Sequence, residues 1–261
     1  DRTSHITQIG AVRGNERFNI YVKPKEDISE EASVITGIRM KGGEMFHHGN
    51  KVPCVPISRA LDNFQEFLEK SENNILIGHN IKTFDVHVLI NALHNTMKLN
   101  FNGIKGFIDS KILIRRKYPK LKSYKQVDLV ESYIPNFEYD AHSALGDVLA
   151  LQELSNRIGF TTEEKRKSSF TMHFTLQNHE YLKVKAMNKP SFARLVTGGY
   201  ISDGIADRIA GSGLTMEHLN IVYNRNGWAG IVELFAEKLN NRVRVTKNKK
   251  VLEKLKIFFT G

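Results

Sequence analysis

Apolar residues recur along this chain at two different spacings, and the switch between them outlines its elements. His5–Val12 and Phe18–Val22 are predicted strands, joined by the turn Arg13-Gly14-Asn15-Glu16 and closed by Pro24. Ile75-Leu76-Ile77 is a short apolar run ending in Gly78, the pattern of a buried strand leaving a sheet. Gly106–Asp109 is a second short strand. Helical spacing appears between these runs. Leu61, Phe64, Phe67 and Leu68 form one face of a helix over Ile57–Lys70. Val86, Leu89, Ile90 and Leu93 mark another, with Thr83 placed to cap it. Ser110–Arg116 and Gln126–Ile134 read as shorter helices, and Leu145, Val148, Leu149, Leu151 and Leu154 line a longer one. Met40–Pro56, with three glycines and two prolines, reads as a long loop.

The second half changes character. Thr161–Lys167 is polar and charged, and a domain boundary is expected there, separating 1–160 from 161–261. Beyond it the pattern predicts short helices. Pro190–Val196 stops at Thr197-Gly198-Gly199, and Ser202–Ala210 stops at Gly211-Ser212-Gly213. Thr215-Met216-Glu217-His218 opens another helix, followed by amphipathic helices over Trp228–Leu239 and Lys247–Phe259. The alternation of strands and helices in the first half implies an α/β domain, followed by a C-terminal helical bundle.

Charge sharpens this division. The chain carries a net charge of +10, with 21 basic and 19 acidic residues up to Phe160 but 17 and 9 from Thr161 onward. A basic second half suits a polyanionic partner such as nucleic acid, and equally a merely solvated surface. The single cysteine, Cys54, excludes an internal disulfide framework. No run approaches the ~18–20 apolar residues of a membrane span, so no membrane role is expected.

Candidate chemistry sits where two predicted helices begin. Asp85 falls in the first turn after the strand ending Gly78-His79-Asn80. His142 and Asp147 flank the start of the helix through Leu154. Five residues on an ideal helix separate side chains by about 140°, so these two converge only if His142 lies on the entering loop. An Asp early in a helix also complements the macrodipole without any metal. A base held above a metal-binding carboxylate is nonetheless what metal-assisted hydrolysis needs. A third cluster, Arg115, Arg116 and Lys117 with Lys120, Lys122 and Lys125, interleaves with Tyr118 and Tyr124, which suits phosphate contacts and base stacking and equally a solvated charge run. His47-His48 invites a metal reading, but the sequence offers the pair no convincing further ligands.

Gly78-His79-Asn80 followed by Phe84-Asp85, and His142-Ser143-Ala144-Leu145-Gly146-Asp147, resemble the second and third motifs of the DEDDh family of 3′–5′ exonucleases. Ala32–Ile38 and Phe107-Ile108-Asp109-Ser110 resemble further segments of that family. The resemblance implies a ribonuclease H-like mixed sheet flanked by helices. It implies hydrolysis of phosphodiesters in nucleic acid, at single-stranded 3′ ends, using two Mg²⁺ or Mn²⁺ ions. By the same resemblance Asp85 and Asp147 are metal ligands, His142 is the general base, and Asn80 lies at the strand end beside the nucleic acid.

The family's first motif, Asp-x-Glu on the first strand, is not found; Asp1-Arg2-Thr3-Ser4 resembles the residues just after it. Either the chain begins past that motif or the working protein has lost it. The first is favoured, because removing the central strand leaves inner sheet edges unpaired. With two of four carboxylates the metal site is incomplete, and this polypeptide alone is expected to have little or no nuclease activity. Gly213-Leu214, Arg242–Lys247 and Phe258-Phe259 resemble the C-terminal exonuclease-like region of promyelocytic leukaemia (PML) proteins. That narrower resemblance implies a nuclear setting, protein partners, and the alternative of a catalytically silent interaction module.

Overall fold

The computed structural model describes residues 4–98, 101–239 and 241–261. It divides into two compact units, Asp1–Thr175 and Leu176–Gly261. Thr161–Lys167, where charge suggests a boundary, lies in the first unit.

In the first unit, β1 (Gln8–Arg13) and β2 (Glu16–Val22) are followed by α1 (Glu30–Thr36) and by β3 (Ile38–Lys41), β4 (Glu44–His47), β5 (Asn50–Val52) and β6 (Cys54–Val55). Then come α2 (Ile57–Glu69), β7 (Asn74–Gly78), α3 (Asp85–Asn95), β8 (Ile104–Asp109), α4 (Ser110–Lys117), α5 (Gln126–Tyr133) and α6 (Ala144–Ile158). The unit closes with α7 (Thr162–Ser168) and β9 (Ser169–Thr171); α8 (Met172–Asn188) begins in it and continues into the second.

Among the described residues, three small sheets form this mixed α/β unit. β1 pairs antiparallel with β2 from Gln8↔Tyr21 to Arg13↔Glu16, and β2 pairs parallel with β6. β7 and β8 run parallel, ending side by side at Gly78↔Asp109, and β9 pairs antiparallel with β8. The third sheet is the meander β3-β4-β5, in the segment the sequence presents as a loop. Its glycines do not break the strands. Gly42, Gly43 and Gly49 all have positive φ and fall in the reversals between them, the positions where glycine is favoured.

Helix α2 explains how two separate sheets share one core. Its Phe64, Phe67 and Leu68 are buried, and Ile9, Ala11 and Phe18 from the first sheet pack on them together with Leu76 and Ile104 from the β7-β8 sheet. The Phe18 ring lies 5.5 Å from Phe64 and 5.4 Å from Phe67. β1 and β7 are the terminal strands of their sheets. The other face of β1 carries α6. A Cβ on Gly10 would lie 2.5 Å from the Ala144 carbonyl carbon, so the start of α6 rests directly on the β1 backbone.

The second unit is helical. After the short 3₁₀ turn Lys189–Phe192 come α9 (Ala193–Thr197), α10 (Asp203–Gly211) and α11 (Met216–Ala236). A hairpin, β10 (Lys238–Leu239) with β11 (Arg242–Val243), leads to α12 (Lys249–Thr260). Phe192, Leu195, Ile209, Leu219, Ile231, Phe235 and Leu255 make its core. Gly227, at φ 62° and ψ −158°, kinks α11, so the amphipathic run from Trp228 starts where the sequence places it. That run stops at Ala236 rather than Leu239 because the chain turns into the hairpin. No helix among the described residues is long and apolar enough to cross a membrane.

Candidate active site

The parallel strands β7 and β8 end together, and two helices start there. Asp85 is the first residue of α3, and Asp109 caps α4 from the end of β8. In open α/β sheets this carboxyl end of the strands is where ligands bind.

Asp109 is 1 % exposed and spends both oxygens on backbone. Its Oδ1 accepts from Ile112 N at 3.2 Å, and its Oδ2 from Lys82 N at 3.0 Å. It thereby pins the β7–α3 loop to the end of β8. His79 makes a second tie. Its Nε2 lies 2.8 Å from the Tyr124 carbonyl, which can only accept, so Nε2 carries the proton and Nδ1 accepts from the Ser110 hydroxyl at 3.0 Å. Burial lowers the His79 pKa, in keeping with this neutral ring. Asn80, at φ 62°, turns the chain, and its carbonyl accepts from Thr83 N at 3.2 Å. Asp85 is thus set by a braced loop. Its side chain meets solvent yet is crowded by neighbouring protein.

The second half of the site comes from the start of α6. His142 lies on the turn before the helix, at φ 69°, where the geometry of convergence requires it. Its backbone N–H donates to Asp147 Oδ1 at 3.3 Å. Gln8 reaches across from β1, and its Oε1 accepts from Ala144 N at 2.9 Å, capping a helix whose own N-cap Ser143 makes no such bond. Gln126 donates to the Asp147 carbonyl at 2.7 Å.

The two halves influence each other through charge. The Asp85 pKa is raised, chiefly by burial and further by the charges of Asp109 and Asp147. That of Asp147 is also raised, chiefly by burial, against the opposing effects of the His142 N–H and the His142 side chain. Tyr139 lies by Asp147, its pKa raised by burial and by that carboxylate, and its buried hydroxyl has no partner among the described residues. Asp147 is thus within electrostatic reach of Asp85 and accepts from the His142 backbone.

The basic cluster does not stay together. Arg116 donates to the Lys167 carbonyl at 2.9 Å and Ser168 Oγ at 3.1 Å. Lys117 pairs with Glu164 at 3.0 Å. Both fasten α4 to α7. Arg115 is exposed, its guanidinium 4.8 Å from the centre of the Tyr124 ring. The bracing residues Asp109 and His79 were visible as types beside the motif strands, but their partners Lys82, Ser110 and Tyr124 are set by tertiary structure. The Gln8 cap, 136 residues from its helix, had no sequence signal.

This fold and site find their class by comparison. The family model for exonucleases of the RNase T type matches residues 1–154, and the chain belongs to that family, with its DEDDh-like, ribonuclease H-like fold. A second model, for the PML C-terminal domain, matches residues 188–261. Among curated proteins the chain is similar to the PolC-type DNA polymerase III of Thermotoga maritima, 27% identical over 217 residues, and of Thermotoga petrophila, 26% identical over 217. Each match covers 77% of this chain but 15% of the polymerase.

Proposed function

We propose that this chain is a 3′–5′ exonuclease module in which Asp85 and Asp147 hold Mg²⁺ or Mn²⁺ and His142 is the general base on nucleic acid. The charge of Asp147 felt at Asp85, with the His142 N–H donating to Asp147, carries this reading. The donors suit those ions, which take carboxylate oxygen. Crowding of Asp85 by the charge of Asp147, and the unpartnered Tyr139 hydroxyl, mark a spot where a hydrated cation relieves an electrostatic cost. Bound there, the metal would supply Lewis acidity at the scissile phosphate and acidify water.

The chain's own residues do the rest. Asp109 and His79 hold the β7–α3 loop and so fix the start of α3, where Asp85 stands. The His142 backbone orients the Asp147 carboxylate, and its imidazole takes the proton of the attacking water. Phe84, 41% exposed beside Asp85, and Arg115 on Tyr124 offer stacking and phosphate contacts to a single strand. Arg116 and Lys117 contribute by fixing α4. The PolC-type match supports nucleic acid as the substrate class, and the module spans 1–160 in this reading. Basic charge and the PML match support a nuclear setting.

Asp109 has its lone pairs turned to backbone, so the described site offers Asp85 and Asp147 as ligands, and we expect little turnover from the 261-residue chain alone. The test is release of nucleotides from the 3′ end of 5′-labelled single-stranded DNA and RNA. A chain carrying an Asp-x-Glu strand ahead of Asp1 should digest them with Mn²⁺, and the given chain should not. Brisk Mn²⁺-dependent digestion by the given chain, or none by the extended one, would refute this reading. The PML C-terminal match favours a second reading, a catalytically silent interaction module, and the second of those outcomes would support it.

A further inference from the structure

His47 and His48 gain in the structure the partner that the sequence could not offer. His48 Nε2 lies 3.3 Å from Asp140 Oδ1, and His47 Nε2 lies 3.8 Å from Asp140 Oδ2. One ligand atom from each of the three falls within 4.8 Å of the others. Two atoms bound at 2.0–2.2 Å to a tetrahedral zinc stand about 3.3–3.6 Å apart. The two distances to Asp140 are close to that spacing and the three ligand atoms lie within 4.8 Å, so a small side-chain adjustment would bring them onto a single zinc ion with the fourth position left for water.

Each member is held in place. His47 is 11% exposed, and its Nδ1 lies 3.0 Å from the Tyr21 hydroxyl, which turns Nε2 toward Asp140. That Nε2 is buried and has no hydrogen-bond partner among the described residues. A buried ring nitrogen left unpaired is costly, and a metal ion satisfies it when Nδ1 donates to the tyrosine oxygen. His48 sits at φ 48° in the β4–β5 reversal, its ring lying over Gly37, where a Cβ would stand 2.4 Å from it. Asp140 is seated against α6, its carbonyl 2.1 Å from where a Gly146 Cβ would be.

We propose that His47, His48 and Asp140 bind one zinc ion, tying the β4–β5 turn to the loop that carries His142 two residues further on. Imidazole with carboxylate suits zinc, whereas the carboxylate pair at Asp85 and Asp147 suits Mg²⁺ or Mn²⁺. The site is separate from the exonuclease reading and stands whether or not His142 is a base.

Calorimetric titration of the full chain with Zn²⁺ alone tests it. One zinc per chain should bind at micromolar concentration or below. His48→Ala and Asp140→Asn, both at exposed side chains, should each weaken binding at least tenfold. Tyr21→Phe should weaken it by ~10–100-fold, as loss of an outer-shell partner does. Asp85→Asn with Asp147→Asn should leave it unchanged. Amide exchange at 140–143 should slow when zinc is added. Equal binding by the parent and the His48 and Asp140 variants would overturn the proposal, as would loss of binding in the Asp85, Asp147 variant or exchange indifferent to zinc.

Discussion

Asp109 does its work by holding rather than reacting. Two backbone N–H groups end on it inside the protein, so Asp109→Ala leaves both without an acceptor. The cap and the buried donor together set a loss of about 2–4 kcal/mol, readable in urea unfolding. His142 behaves in the opposite way. It is exposed, and its tie to Asp147 runs through backbone, so His142→Ala should leave stability and Mn²⁺ binding intact. In a chain carrying the Asp-x-Glu strand it should lower the rate by ~10²–10⁴. His79 gives the molecule a pH dependence. Its folded pKa lies below the ordinary value near 6.5, so the unfolded chain takes up the proton first. Its contribution is complete above about pH 6.5 and is lost as pH falls through that value toward the folded one. Chemical denaturation at pH 7.5 and 5.5 should show that loss, and His79→Gln should reduce it.

At the scale of elements, the hydrophobic spacing made much of the architecture legible. The α2, α3 and α6 faces fall where Leu61, Val86 and Leu151 repeat, because burial of one helical stripe is a local pattern. The β3–β5 meander was hidden, since Met40–Pro56 is short-stranded and rich in glycine, and only pairing partners reveal strands of that kind. The placement of Asp85, His142 and Asp147 at helix starts was legible because each stands beside an apolar run. Their bracing was not, because Gln8 to Ala144 and His79 to Tyr124 are long-range contacts. The seating of α6 on β1 gives an element-level prediction. Gly10→Ala must push Ala144 away, so the turn at 140–144 should lose amide-exchange protection while β1 keeps its pairing with β2.

For the whole molecule, two compact units imply two transitions. The α2 cluster serves the first unit, and the cluster around Phe192, Ile209 and Phe235 serves the second. Calorimetry of the full chain should resolve two unfolding events. Phe235→Ala, emptying a fully buried ring site, should lower only one of them, by about 3–5 kcal/mol. The two matched families divide the chain in the same order as its charge, the exonuclease match over 1–154 and the PML C-terminal match over the more basic 188–261.

The measurement that reaches the central claim most directly is Mn²⁺ binding followed by electron paramagnetic resonance, made in a His48→Ala background to silence the neighbouring site. Binding of Mn²⁺ that disappears with Asp85→Asn and with Asp147→Asn, yet persists with His142→Ala, is the expected result. Binding that survives both carboxylate changes, or that vanishes with His142→Ala, would contradict the assignment of Asp85 and Asp147 as the metal-holding pair.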